Sequence, residues 1–191
     1  MISQMSWKAD RTVNMMRVFL LAAIALLPAA AAAQPTATCA VEAGFSPEGS
    51  ASALVLRAIG SARESIRLAA YLFTSPDIAR ALIAARRKGV DVQAVVDREG
   101  AKNAASRAAL NLLAGAGIPV RTVSGYAIHH DKYMVIDGAT VQTGSFNYTA
   151  AAARDNSENV LLASACPALA RQYLEHWQSR WRQGVGWRLK Y

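Results

Sequence analysis

Along the chain, stretches that alternate with period two give way to stretches with a period near four, and each change of period marks an element boundary. Residues Cys39 to Phe45 read as a strand, and Ser46-Pro47-Glu48-Gly49 as the turn into a helix that keeps Leu54, Val55, Ala58 and Ile59 on one face. From Ser65 to Phe73, Ile66, Leu68, Ala70 and Leu72 share one side while the other is mostly apolar too, as in a strand covered on both faces. Thr74-Ser75-Pro76-Asp77 opens a helix with proline at its first position; Ile78, Leu82 and Ile83 keep its apolar face until Gly89. Val90 to Val96 is a third strand. Residues 98 to 107 are polar and basic, the expected mobile loop, before Ala108, Leu110, Leu112 and Leu113 resume helical spacing. Ile118 to Val123, Lys132 to Ile136, Thr140 to Thr143 and Asn159 to Ala163 complete the strands, and a last helix from near Pro167 carries Leu169, Tyr173 and Trp177 on one face. This order predicts an α/β fold: a mixed, largely parallel central sheet flanked by helices on both faces.

Val18 to Leu27 fits none of these elements. It follows Lys8, Arg11 and Arg17 and runs into Pro28 and five alanines before Gln34. Ten apolar residues are too few to span a bilayer, and small residues follow where a signal peptidase cuts. Residues 1 to 33 are therefore expected to be a secretory signal peptide, with Met15 and Met16 as alternative starts and a retained anchor as the other reading. Residues 34 to 191 are expected to be one periplasmic or secreted domain with no stable membrane insertion after cleavage. A chain of 191 residues that is 53% hydrophobic can bury one core but is short for two domains. Export offers Cys39 and Cys166 an oxidising compartment, in which a bridge would tie the mature N-terminus to the domain; two free thiols are the alternative. The chain carries a net charge of +8; its first 33 residues hold three basic side chains and one acid, so the remainder carries +6. Such a balance favours polyanions, nucleic acid or anionic lipid.

The chemistry gathers around the fifth expected strand. In Lys132-Tyr133-Met134-Val135-Ile136 side chains alternate, so His130 and Lys132 project from the same side. Asp137-Gly138 is a turn signal, Thr140 to Thr143 returns, Gly144 lets the backbone bend sharply, and Ser145 and Asn147 sit on a loop beside the strand ends. Such a set suits a phosphodiester. Lys132, Ser145 and Asn147 can bind non-bridging oxygens while His130 attacks phosphorus, a scheme that calls for no metal and no cofactor.

His130, Lys132, Asp137, Gly144, Ser145 and Asn147 form the pattern HxK, four residues, D, six residues, GSxN. With it the chain resembles the phospholipase D superfamily, most closely its small bacterial nucleases with one HKD motif. Phe45-Ser46-Pro47, residues 65 to 74, Gly89-Val90-Asp91-Val92 and Asn156-Ser157-Glu158-Asn159 look like the family's other recurrent segments, so the likeness covers roughly residues 41 to 183. The resemblance implies a phospholipase D/nuclease fold with one HKD half per chain and a covalent phosphohistidine at His130. It gives Lys132 and Asn147 the phosphate, Ser145 an orienting role, Asp137 a structural role at the turn, and Glu158 the task of orienting the histidine. His129 reads as structural or peripheral.

Cleavage through a phosphohistidine needs a separate acid for the leaving oxygen. One motif supplies one histidine, and His176 fits no second motif. Either another acid serves or two copies share one site; single-motif members resemble half of a two-motif enzyme, which implies a C2 homodimer with both His130 side chains at the axis. Arg98, Lys102 and Arg107 follow a strand end, where ligand-binding loops gather in open α/β sheets, and are the expected contacts to a nucleic acid backbone. Arg86-Arg87-Lys88 reads as a solvated helix end, and Trp177 and Trp181, at helical spacing, as packing residues. The expected activity is metal-independent cleavage of DNA, with RNA as a further substrate, and little sequence preference. The alternatives are a phospholipase D or cardiolipin hydrolase, and a non-catalytic nucleic-acid-binding protein.

Overall fold

A computed structural model describes residues 38–189; the expected signal peptide lies outside the described residues. Strands β1 (Ala40–Ser46), β2 (Ser65–Ala70), β3 (Asp91–Asp97), β4 (Val120–Val123), β5 (Lys132–Ile136), β6 (Thr140–Gly144), β7 (Glu158–Ser164) and β8 (Val185–Gly186) form one sheet in the order β1-β7-β6-β5-β2-β3-β4-β8. Helices α1 (Ser50–Ser61), α2 (Pro76–Arg87), α3 (Ala104–Gly115), α4 (Ala150–Arg154) and α5 (Pro167–Gln183) complete the chain.

The sheet is mixed and helices cover both its faces, but parallel pairing is the minority, which corrects the expected emphasis. Only β2 with β3 and β3 with β4 run parallel; the other five pairings are antiparallel. The reason is in the connections. A parallel neighbour needs a long crossover, and α2 and α3 supply two. Residues 124 to 131 contain no helix, so β5 comes back antiparallel to β2, and Asp137-Gly138 turns it straight into β6.

Alternation along each strand feeds two cores. Leu68, Met134 and Ile136 point into the larger one beneath α1–α4, with Leu54, Ile59, Leu82, Leu110, Phe146 and Tyr148. Ala69, Val95, Tyr133 and Val135 face α5, where Trp177 packs at 3% exposure and its Nε1 donates to Leu68 O at 2.8 Å. Trp177 and Trp181 stack with ring centroids 4.9 Å apart, as packing residues do.

Side-chain caps start three of the five described helices. Ser75 accepts from Ile78 N ahead of Pro76, and Thr149 accepts from Ala152 N to start α4, which at five residues is too short to show a period. The stretch expected as a mobile loop carries local structure: a 3₁₀ turn spans Gly100–Lys102, and Asn103 caps α3 by accepting from Ser106 N at 2.8 Å. Asn103 and Ser106, two of the polar residues in that stretch, are cap chemistry. Cys39 and Cys166 are joined as a disulfide, Cα atoms 4.9 Å apart, which pins the start of edge strand β1 to the head of α5. Among the described residues no helix is long and apolar enough to cross a membrane.

Candidate active site

β2 and β3 end, and β5 and β7 begin, at one edge of the sheet, and that edge collects the motif. Register places Lys132 opposite Ala70, Tyr133 opposite Thr143, and Gly144 opposite Val160. His130 lies just before β5, exposed, and Lys132 is 8% exposed. Lys132 Nζ sits 3.1 Å from His130 Nε2 and donates to His130 O at 3.0 Å. An ammonium can only donate, so Nε2 faces it with its lone pair and the ring proton belongs on Nδ1. Burial lowers the Lys132 pKa from its ordinary value, while Glu158 and Asp131 act to raise it. Tyr71 packs under the pair, its ring centroid 4.8 Å from that of His130 and 5.4 Å from Lys132 Nζ.

Gly144 makes the bend that sends Ser145 and Asn147 back to this edge. Its φ is +151°, and a Cβ there would lie 2.2 Å from Asn159 O. Ser145 Oγ donates to Glu158 Oε2 at 2.6 Å and accepts from Asn159 N at 3.0 Å, so its hydroxyl is committed to aligning the Glu158 carboxylate. Asn156 Nδ2 donates to the other oxygen, Oε1, at 3.0 Å. Glu158 thus reaches Ser145 and Asn156, with no hydrogen bond to His130 of the same chain among the described residues. Asn147 Oδ1 is buried without a hydrogen-bond partner; it can only accept, so a phosphate oxygen would have to be met by the Nδ2 group of the same side chain.

Asp137 stands just past the far end of β5 and does not line the cleft beside His130. Its oxygens accept from the backbone amides of Arg63, Glu64 and Ser65, each at 2.8 Å. Partial burial pushes its carboxyl upward, but those amides and the Arg63 guanidinium outweigh it, and the pKa falls below the ordinary 3.8. Its φ of 51° is one that aspartate tolerates.

Several residues that hold this edge were not singled out in the sequence. Asp131, inside the motif itself, points to the α5 side, where its Oδ2 lies 2.8 Å from His176 Nε2 and 3.3 Å from the Nδ1 of buried His129. Burial lowers the His129 pKa, against the pull of Asp131 and Asp97. Asp97, 4% exposed, accepts from Gly100 N at 2.7 Å and from His129 N at 2.9 Å, and so fixes the segment that presents His130. An acid closing an apolar strand, and a tyrosine closing the strand beside it, are the signals that could have found Asp97 and Tyr71.

A cleft of about 410 Å³ opens beside the motif, lined by His130, Lys132, Gly144, Gln172, Tyr173 and His176. Arg98, Lys102 and Arg107 do not line it. They come together in a separate cleft at the β4 and β8 end of the sheet. Chemically, the first cleft offers an imidazole whose Nε2 lone pair faces the Lys132 ammonium, a nucleophile and a cation able to attack and hold a phosphate once the ammonium turns to the substrate.

The chain matches the family model described as "Cardiolipin synthase, PLD-like domain" over residues 55–181. Its structure is similar to that of Nuc, a phospholipase D family member from Salmonella typhimurium, with a TM-score of 0.78 and 53% identity, covering 79% of this chain and 99% of that one. It is 39% identical over 136 residues to phospholipase D of Rickettsia bellii, which takes in 71% of this chain and 66% of the relative. It is 35% identical over 138 residues to the human mitochondrial cardiolipin hydrolase, taking in 72% of this chain and 54% of that protein. The chain therefore spans just under two thirds of one curated relative and about half of the other.

Proposed function

The chain belongs to the phospholipase D-like family, and from that premise we propose that it is a metal-independent phosphodiesterase that cleaves DNA, and RNA, with little sequence preference. The observation that carries the reading is Lys132 Nζ at 3.1 Å from the Nε2 of an exposed imidazole. His130 Nε2 attacks phosphorus and forms a P–N bond as the P–O bond to the leaving group breaks, and the leaving oxygen takes a proton. Water then attacks phosphorus, the P–N bond breaks, and a terminal phosphate is released with the free imidazole. Lys132 and Asn147 carry the charge on the non-bridging oxygens, the task a metal would otherwise perform.

The proton donor is the histidine of a second copy. His176 lines the same cleft, but its Nε2 is held by Asp131 on the α5 side, away from the face on which Lys132 lies. A C2 dimer brings two His130 side chains to one phosphate, one as nucleophile and one as acid. Glu158, which does not bond the imidazole of its own chain, then orients that of the other subunit. Export to the periplasm or beyond belongs to the same reading, supported by the Cys39–Cys166 pairing, which suits an oxidising compartment.

A lipid phosphodiester is the second reading, favoured by the names of the two curated relatives. The test is to offer plasmid DNA and labelled cardiolipin to the protein in EDTA, beside His130→Ala. DNA cleavage that survives EDTA and vanishes in the variant is expected; cleavage lost in EDTA, or kept by the variant, overturns the mechanism. Cardiolipin cleaved in place of DNA selects the second reading. Light scattering that reports a fully active monomer overturns the shared site.

A further inference from the structure

The separate cleft at the β4 and β8 end encloses about 770 Å³ and is lined by Arg98, Lys102, Arg107 and Arg188, with no carboxylate on its walls. The four cations come from four segments: the end of β3, the 3₁₀ turn, the first turns of α3 and the C-terminal stretch after β8. Convergent like charges repel unless an anion lies among them. Their internal bonds are few. Lys102 Nζ pairs with Glu99 at 2.7 Å with both side chains exposed, Arg98 donates to Ser124 Oγ at 3.3 Å, and Arg107 donates to Lys102 O. A guanidinium has five N–H donors, so Arg98 and Arg107 keep several for a ligand.

Strand register links this cleft to the motif. Lys132 pairs with Ala70, Ala70 with Val96, Val96 with Thr122 and Thr122 with Val185, one row straight across five strands. Side chains in one row share a face, so the lysine and the cleft residues Thr122 and Val185 lie on the same side of the sheet. Three strand steps separate Lys132 from Thr122, roughly 14 Å. A strand stacked at a rise of ~3.4 Å covers that distance in about four nucleotides, and one whose bases leave the stack covers it in fewer.

The cleft also has an apolar floor. The Trp187 indole is partly buried, its Nε1 donating to Asn111 Oδ1 at 3.0 Å, and Val185 beside it is 66% exposed. Cations around an indole in a concavity fit an unpaired strand, whose bases are free to leave the stack and lie on an aromatic ring. We propose that this cleft is a second substrate site, which binds the phosphate backbone and a base of a single-stranded nucleic acid a few nucleotides from the diester being cleaved. It rests on the nuclease reading and adds to it a preference for length and strandedness.

The test is steady-state kinetics of the full chain on single-stranded 4-mers and 12-mers and on bis(4-nitrophenyl) phosphate, which reaches only the catalytic site. Wild type, Arg188→Glu, Arg188→Lys and the pair Arg98→Ala with Arg107→Ala are compared. Wild type is expected to favour the 12-mer; Arg188→Glu raises KM for the 12-mer about tenfold and leaves the small diester within about twofold, and Arg188→Lys recovers most of the loss. The slope of log KM against log salt falls by about 0.7 for each cation removed. Equal loss on the 12-mer and the small diester, or no loss on either, overturns the inference while the nuclease reading stands. Small-diester turnover with no oligonucleotide cleavage in the wild type overturns the nuclease reading first. Cardiolipin vesicles that protect the cleft in wild type and not in Arg188→Glu would make it a lipid site.

Discussion

The two ends of β5 lie five residues apart and are built on opposite principles. At Asp137 three backbone amides meet one carboxylate and the acid is made stronger. At Lys132 a cation is taken out of water beside an imidazole lone pair and its charge is made less favourable, and nearby Asn147 Oδ1 has no partner. One end is saturated and the other is left wanting. A single motif thus mixes a residue whose hydrogen bonds are spent on the fold with residues whose polar groups face a cleft.

Removing His130 should separate the ends most widely. His130→Ala is expected to lower DNA cleavage by at least ~10³-fold while the unfolding free energy, read by urea titration, stays within about 0.5 kcal/mol. A large loss of stability would mean that the imidazole also supports the edge. Lys132→Met removes the desolvated cation and should cost roughly 10²-fold or more in kcat/KM with stability unchanged or slightly raised, since an apolar stem replaces a buried charge. A marked drop in stability would undo the contrast.

Asp137→Ala should do the reverse. Three amides lose a charged acceptor, and about 2 to 3 kcal/mol of stability should go with it, while kcat per folded molecule at low temperature stays near that of the wild type. Asp137→Asn, which tolerates the same φ, should lose less. The pH dependences also point in opposite directions. The Asp137 pKa is depressed, so its contribution to stability is complete above the unfolded value and is lost as pH falls through the folded one, below 3.8. The Lys132 pKa is lowered, so the penalty of burying its charge is full at low pH and fades as pH rises toward 10.5. Wild type should therefore gain on Lys132→Met in alkaline denaturation curves, and the alkaline limb of kcat/KM should set in below 10.5. A limb at or above that value would show the lysine to be solvated in the free enzyme.

Much of this was legible in the chain. The spacing from His130 to Asn147 brought those residues to one sheet edge because a strand, a three-residue turn and a glycine bend are local devices. The absence of a helical period between Val123 and Lys132 already ruled out a parallel crossover there, though the alternation of elements elsewhere suggested parallel pairing. What sequence could not show are contacts between distant segments: Asp97 holding the amide of His129, His176 reaching Asp131 from α5, and Arg188 joining Arg98 and Arg107. β8, two residues long, has no pattern to read, yet it carries one wall of the second cleft.

Gly144 sets a limit of another kind. With φ at +151° and the space for an L-side chain filled by Asn159 O, the backbone there has the torsion of a mirror-image residue. All the other natural amino acids have the wrong handedness for that position, so variation by mutation is closed to it. A chain made by chemical synthesis with D-alanine at 144 would match that torsion and direct the methyl group away from Asn159.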